Sequence, residues 1–151
     1  MTLATNAVLD ALVSHASSLG RFERVNEHEP KNAPGAGLTC SISVDRIAPI
    51  RASGLDSTSA RLAFTMHLFA PMLAVSDDLV DRQLLTVLDE LFAAYTGDFT
   101  LGGLLRHVDV LGAYGPGLEA TAGYLNSGGS DFRVLTITLP VIVNDLWEQT
   151  A

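Results

Sequence analysis

Apolar and polar positions along this chain follow two different rhythms. Val8, Ala11, Leu12, His15, Ala16 and Leu19 recur at spacings of three and four, which predicts one buried face of a helix over about residues 3–19. Thr2 or Thr5 stands where a cap belongs and Gly20 where the helix stops. Arg21 to Glu27 nearly alternates large and charged residues and reads as a short strand. Two prolines and two glycines between Glu29 and Gly37 make a loop. From Leu38 the period becomes two. Leu38, Cys40, Ile42 and Val44 point one way, while Thr39, Ser41, Ser43 and Asp45 point the other, a strand with one buried face running to Ile47.

Pro49 to Ser57 reads as a long turn, and Thr58 to Phe69 alternates again. Its two apolar-bearing faces imply that something covers both sides, and the short connection predicts antiparallel pairing with the preceding strand. Asp77 to Tyr95 is the clearest helix: Val80, Leu84, Val87, Leu88, Leu91 and Tyr95 form one stripe flanked by Leu79, Leu85 and Phe92. Ser76 can cap it, Asp77 and Asp78 suit the positive end of its dipole, and Gly97 stops it. Three strands follow, at about 104–111, 118–126 and 132–143, with Pro140 marking an edge position, a bulge or the end of the last. The order predicts an α+β fold, a mostly antiparallel sheet flanked by an N-terminal helix and a central helix at about 77–95.

Length and composition narrow the picture. A chain of 151 residues that is 48% hydrophobic fits one domain, 1–151, with a sizeable core. Seventeen acidic against nine basic residues leave a formal charge of −8. With Lys31 as the one lysine, no general phosphate-binding surface is expected, although nucleic acid can slide past such a protein without sticking. One cysteine excludes an intrachain disulfide framework and a multi-cysteine zinc site. The apolar runs are too short for a bilayer span, and the N-terminus does not read as a signal peptide.

Catalytic signatures are sparse. Glu27, His28 and Glu29 are consecutive, and three consecutive side chains do not converge on one ion without unusual backbone. His15, His67 and His107 fall on separate elements. Asp77, Asp78, Asp81, Asp89 and Glu90 read first as the solvated face of a helix, since acid–base work needs two carboxylates converging in one cleft. The glycine pairs lack the strand–turn–helix setting of a nucleotide loop, and no serine or cysteine nucleophile signature is present. Cys40 lies on an apolar strand face and reads as a small core residue. The expectation is therefore a non-enzyme without metal or cofactor. Apolar loop residues such as Leu55, Phe99 and Leu101 suit either core plugs or an interface.

Several segments carry a resemblance. Asn26–Gly35 (NEHEPKNAPG), Ile47–Ile50 with Ser53, Gly54 and Leu55, Gly97–Gly103 (GDFTLGG), Val108–Gly112, Ala122–Leu125 and Ile137–Asp145 occur in that order. Together they resemble the tail terminator proteins of long-tailed phages of actinobacteria, over about residue 20 to Trp147. The resemblance implies a structural protein of the virion, at the head-proximal end of the tail: a ring, usually of six subunits, that caps the tail tube and ends its polymerisation. It implies as partners other copies of the chain, the major tail tube protein, the head–tail stopper or connector protein, and the tape-measure protein as a further neighbour. DNA would transit the lumen without specific binding, no membrane is involved, and no cofactor is needed.

On that reading a cyclic ring needs two different complementary patches per subunit. The expected contact residues are Glu29, Pro30, Lys31, Asn32, Arg51, Ser53, Gly54, Leu55, Phe99 and Leu101. Arg46, Arg51 and Arg61 are candidates to pair with acids across the seam, ordinary surface solvation being the plain alternative for each. Asp77, Asp78 and Asp81 are expected to face the lumen, where negative charge repels phosphate. The alternatives are a head–tail joining or stopper protein, or another tail-completion protein, of the same neck and, more distantly, a small α+β ligand-binding protein or hydrolase with a site near His28, Glu29 and His107.

Overall fold

The structure, a computed structural model, describes residues 5–22, 24–26, 38–50, 57–71, 77–98, 100, 106–113, 115–127 and 130–148. Elements run α1 (Thr5–Ser18), β1 (Arg24–Asn26), β2 (Thr39–Ile50), β3 (Ser57–Pro71), α2 (Asp77–Gly97), β4 (His107–Val108), β5 (Glu119–Ser127) and β6 (Ser130–Glu148). This is an α+β fold, as the periodicity predicts. Its sheet has the strand order β1-β2-β3-β6-β4, with β5 also on β6; every pairing is antiparallel except the short β1–β2 pair. β3 holds one edge of β6, so β5 and β4 share the other, β5 against residues 130–138 and β4 against Val141 and Ile142.

Both helices pack on one face. Even-numbered β3 residues from Ala60 to Ala70 meet Val8, Leu12 and Ala16 of α1 and Val80, Leu84, Val87, Leu91 and Tyr95 of α2 in one buried cluster. Cys40 and Ile42 of β2 and Leu135, Ile137, Leu139, Val141 and Val143 of β6 complete it. Period two on the strands and period 3.6 on the helices thus point at the same layer. The Tyr95 hydroxyl donates to the Leu12 carbonyl at 2.9 Å, tying the helices together inside the core. α1 ends as its sequence directs: Gly20 takes φ of 66°, and its N–H donates to the Ser17 carbonyl.

Four details differ from the sequence pattern, each for a local reason. Val44 pairs with Phe64 but Arg46 pairs with Ala63, so Asp45 is an extra, bulged residue. The bulge switches the parity of β2, placing Ile47 opposite Leu62 on the same side as Val44, and both are exposed beyond the cover of the helices. Pro49, Ile50 and Ser57 belong to strands, so the β2–β3 connection is shorter than the proposed turn.

Pro140 lies inside β6, paired with Ala63, and does not end it. Its carbonyl accepts the Asp109 N–H at 2.9 Å. In an antiparallel strand a residue's N–H and C=O share one edge. Its missing donor therefore faces the seam between β5 and β4, where no ladder bond is lost. Finally, the strand expected at about 104–111 is only His107–Val108 within the described residues. Beyond it the buried Asp109 carboxylate accepts the Ala113 N–H at 2.7 Å and folds the chain into a turn.

Candidate assembly interface

The ten residues proposed for subunit contacts, Glu29, Pro30, Lys31, Asn32, Arg51, Ser53, Gly54, Leu55, Phe99 and Leu101, lie outside the described residues. So does His28. Asp77 and Asp78 open α2, and Asp81 stands one turn on, exposed but paired: the Arg133 Nε donates to its Oδ1 at 2.9 Å. Glu90 is held likewise by a two-pronged bond from Arg21, at 2.7 and 3.0 Å. That hydrogen-bonded guanidinium keeps the Glu90 carboxyl below its ordinary range. Part of the acidic face of α2 is thus neutralised within the subunit, which the sequence spacing does not reveal because the arginines come from other elements.

Large apolar side chains are exposed at both ends of the sheet. On the β2 side are Val44 and Ile47, with Asp45 and Arg46 between them. Beyond its pairing with β1 at residues 39–41, β2 has no further outer neighbour among the described residues, so an unpaired ladder edge runs beside these side chains. On the opposite side, Tyr124 of β5 is 71% exposed with the Arg133 guanidinium 4.3 Å from its ring centroid, and Leu85 of α2 is 59% exposed. Asp81, Leu84, Leu85, Ala122, Arg133 and Leu135 border a small crevice between them.

On that same side, the turn after β4 lifts Leu111 into solvent, 96% exposed. The turn is tight. A Cβ on Gly112, whose φ is 78°, would meet the Gly115 carbonyl at 2.5 Å, and one on Gly117 would meet the Val110 carbonyl at 2.6 Å. Leu118 N–H closes it onto the Val110 carbonyl at 3.0 Å. Beneath lies Arg61, which the sequence left as a solvated or seam-pairing arginine. It is 8% exposed, with Nη2 donating to the Pro116 carbonyl at 2.6 Å and Nε without a partner. Gly115 is pressed so close that a Cβ there would stand 2.8 Å from that Nε.

The histidines stay apart. His15 Nε2 is 2.9 Å from the Asp98 carboxylate, His67 stacks on Phe69 and hydrogen-bonds Thr136, and His107 lies on β4. Among the described residues no three of His, Cys, Asp or Glu are grouped as metal ligands. Burial pushes the Cys40 thiol up to about 12, far from nucleophilic thiolate character. An open depression of about 370 Å³ is lined by Gly20, Arg21, Leu38, Gln83, Thr86 and Val87, with no nucleophile–base pair among them. No helix of the described chain is long and apolar enough to cross a membrane. What this surface offers is two chemically different edges of one sheet: a β2 edge with the exposed aliphatics Val44 and Ile47, and a β4–β5 edge with the exposed Leu111 and Tyr124.

No family model and no curated relative matches the sequence. Among solved structures, a chain of the "Virion of native gene transfer agent (GTA) particle" is similar at 14% identity and a TM-score of 0.44, the match covering 90% of this chain and 93% of that one.

Proposed function

We propose that this protein is a structural component of a phage or phage-derived particle, a tail terminator that forms a ring on the head-proximal end of the tail tube. The observation that carries the reading is the ordered series of segments from Asn26 to Asp145 that resembles such proteins. The surface is consistent with it. A cyclic ring is built from heterologous contacts, one patch of each subunit meeting a different patch of the next. The β2 edge and the β4–β5 edge are two such patches at opposite ends of one sheet, both carrying exposed large apolar side chains. A net charge of −8 suits a lumen through which DNA passes without being trapped.

Partners on this reading are further copies of the chain, the tail tube protein and the head–tail stopper, with no cofactor and no enzymatic activity. Electron microscopy of particles assembled without this protein tests it. Overlong tails without heads are expected. Tails of normal length that fail to join heads would make it a stopper or joining protein instead, and normal infectious virions would refute the tail assignment.

A further inference from the structure

Resting on the ring reading, we propose that copies of this chain join main chain to main chain: the outer edge of β5 pairs antiparallel with the β2 edge of the next copy, so that one sheet runs through the seam.

β5 is open along its length. It pairs with β6 over Glu119–Ser127 and with no other strand among the described residues, and Glu119, Thr121, Ala122, Tyr124 and Asn126 are exposed. A regular exposed edge is a template for another strand, and proteins guard such edges with lysine, proline or a bulge. β5 has none of the three. β2 is paired with β1 at residues 39–41 and is open beyond, where Val44, Asp45, Arg46 and Ile47 are exposed.

Strand direction makes these two edges mates. β2, β3, β6 and β5 alternate in direction across the sheet, so the first and the last run opposite ways. Two copies side by side in the same orientation therefore bring β5 of one antiparallel to β2 of the next, the arrangement a hydrogen-bonded ladder accepts directly. Two β5 edges could also meet antiparallel, but that contact is twofold and closes a dimer where a ring needs different patches.

The register is set by what is already occupied. Through Leu135 and Leu68, Ala122 lies level with Cys40, and Cys40 is paired with Val25 of β1. A flush joint is thus blocked, and the neighbour slides to the free stretch of β2, residues 42–50, as many as β5 has. A sheet that closes on itself requires a stagger of this kind between its strands. The slide sets Val44 beside Tyr124 and Ile47 beside Ala122, with Asp45 kept as the bulged residue.

Side chains agree with that register. Val44 and Ile47 pair with Phe64 and Leu62, and Ala122 with Leu135, so all three stand on the helix side of the sheet. There Val44 meets an aromatic ring, a favourable cross-strand pair, and Ile47 lies over a small alanine at the crevice bordered by Leu84 and Leu85. On the other face Arg46 crosses Gly123, where an added Cβ would meet nothing and a long side chain has room.

Disulfide trapping in the full chain tests this, beside sedimentation velocity over a concentration series and a thermal melt of each variant. Self-association of the wild type is expected, and Tyr124→Ser and Ile47→Lys, both at exposed positions, should each weaken it at least fivefold with the melt nearly unchanged. Under mild oxidation, an Ile47→Cys chain mixed with an Ala122→Cys chain should give a cross-linked pair, and neither chain alone should. Ile47→Cys mixed with Thr121→Cys, on the opposite face of β5, should give none. Alternate backbone amides of β5 should exchange more slowly with deuterium as the wild type associates. A monomeric wild type at every concentration, cross-linking of Ala122→Cys with itself, no cross-link in the mixed pair, or unchanged β5 exchange would each overturn the proposal. The tail-length experiment judges the terminator reading separately, so the two can fail independently.

Discussion

Cys40 and Tyr95 are titratable groups inside the core, and burial acts on both in the same sense. The thiol moves from 9.0 to about 12, and the phenol is raised above its ordinary 10.0 by desolvation and by the neighbouring Cys40. Above pH 9 the unfolded chain releases the thiol proton while the native one retains it, so the native state binds more protons and stability falls as pH rises. The slope is about 1.4 kcal/mol per pH unit for each such group within its window. Melting temperature should therefore drop between pH 9 and 12, and Cys40→Ala should shallow that drop. The Cys40 thiol should stay unreactive toward a thiol reagent at pH 8 until the protein is denatured. Tyr95→Phe, which removes the bond to Leu12, should cost about 1 kcal/mol, and Leu91→Ala about 2–5 kcal/mol, both read from denaturant melts. Cys40 was legible as a core residue from its alternation alone. Arg61 was not, because the turn that buries it lies more than fifty positions away along the chain.

The elements themselves show where a period is enough and where it fails. α2 was legible because its stripe, Val80 to Tyr95, repeats over about four turns, and one-sided burial leaves few other solutions. β2 was legible only as far as Val44. A period-two reading assumes an unbroken ladder, and the bulge at Asp45 resets it, carrying Ile47 to the face its alternation denies it. Since Val44 and Ile47 are exposed on an unpaired edge, Ile47→Lys should change stability by less than about 0.5 kcal/mol yet reduce self-association, measured by melts and sedimentation together. The turn after β4 is the opposite case. Gly112→Ala places a side chain at φ of 78° against the Gly115 carbonyl. It should destabilise the protein by more than about 1 kcal/mol and loosen the Pro116 contact to Arg61. Pro140 illustrates why a breaker residue is ambiguous in sequence: the same missing N–H is harmless where the neighbouring edge changes from one strand to another.

For the molecule as a whole, charge and assembly are the properties that matter. Asp81 and Glu90 are matched by Arg133 and Arg21, so neutralising Asp81 alone would leave the Arg133 guanidinium without its ion-pair partner. On the terminator reading, replacing Asp77 and Asp78 with asparagine in assembled particles should slow DNA ejection. Ejection at the wild-type rate would remove these residues from the lumen.

By itself, the sequence determined the fold class, the two helices, the strand order along the chain and the sidedness of the core, because hydrophobic period is a local property and each element carries its own. It also set the acid excess and the absence of a recognisable nucleophile signature, both matters of composition and spacing. Tertiary structure alone decided which charges are paired, since Asp81 with Arg133 and Glu90 with Arg21 join residues remote in sequence. It alone decided that Arg61 is buried against the Pro116 carbonyl while Leu111 of the same turn is exposed. Burial and pairing depend on what the rest of the chain brings alongside, and no local pattern encodes that.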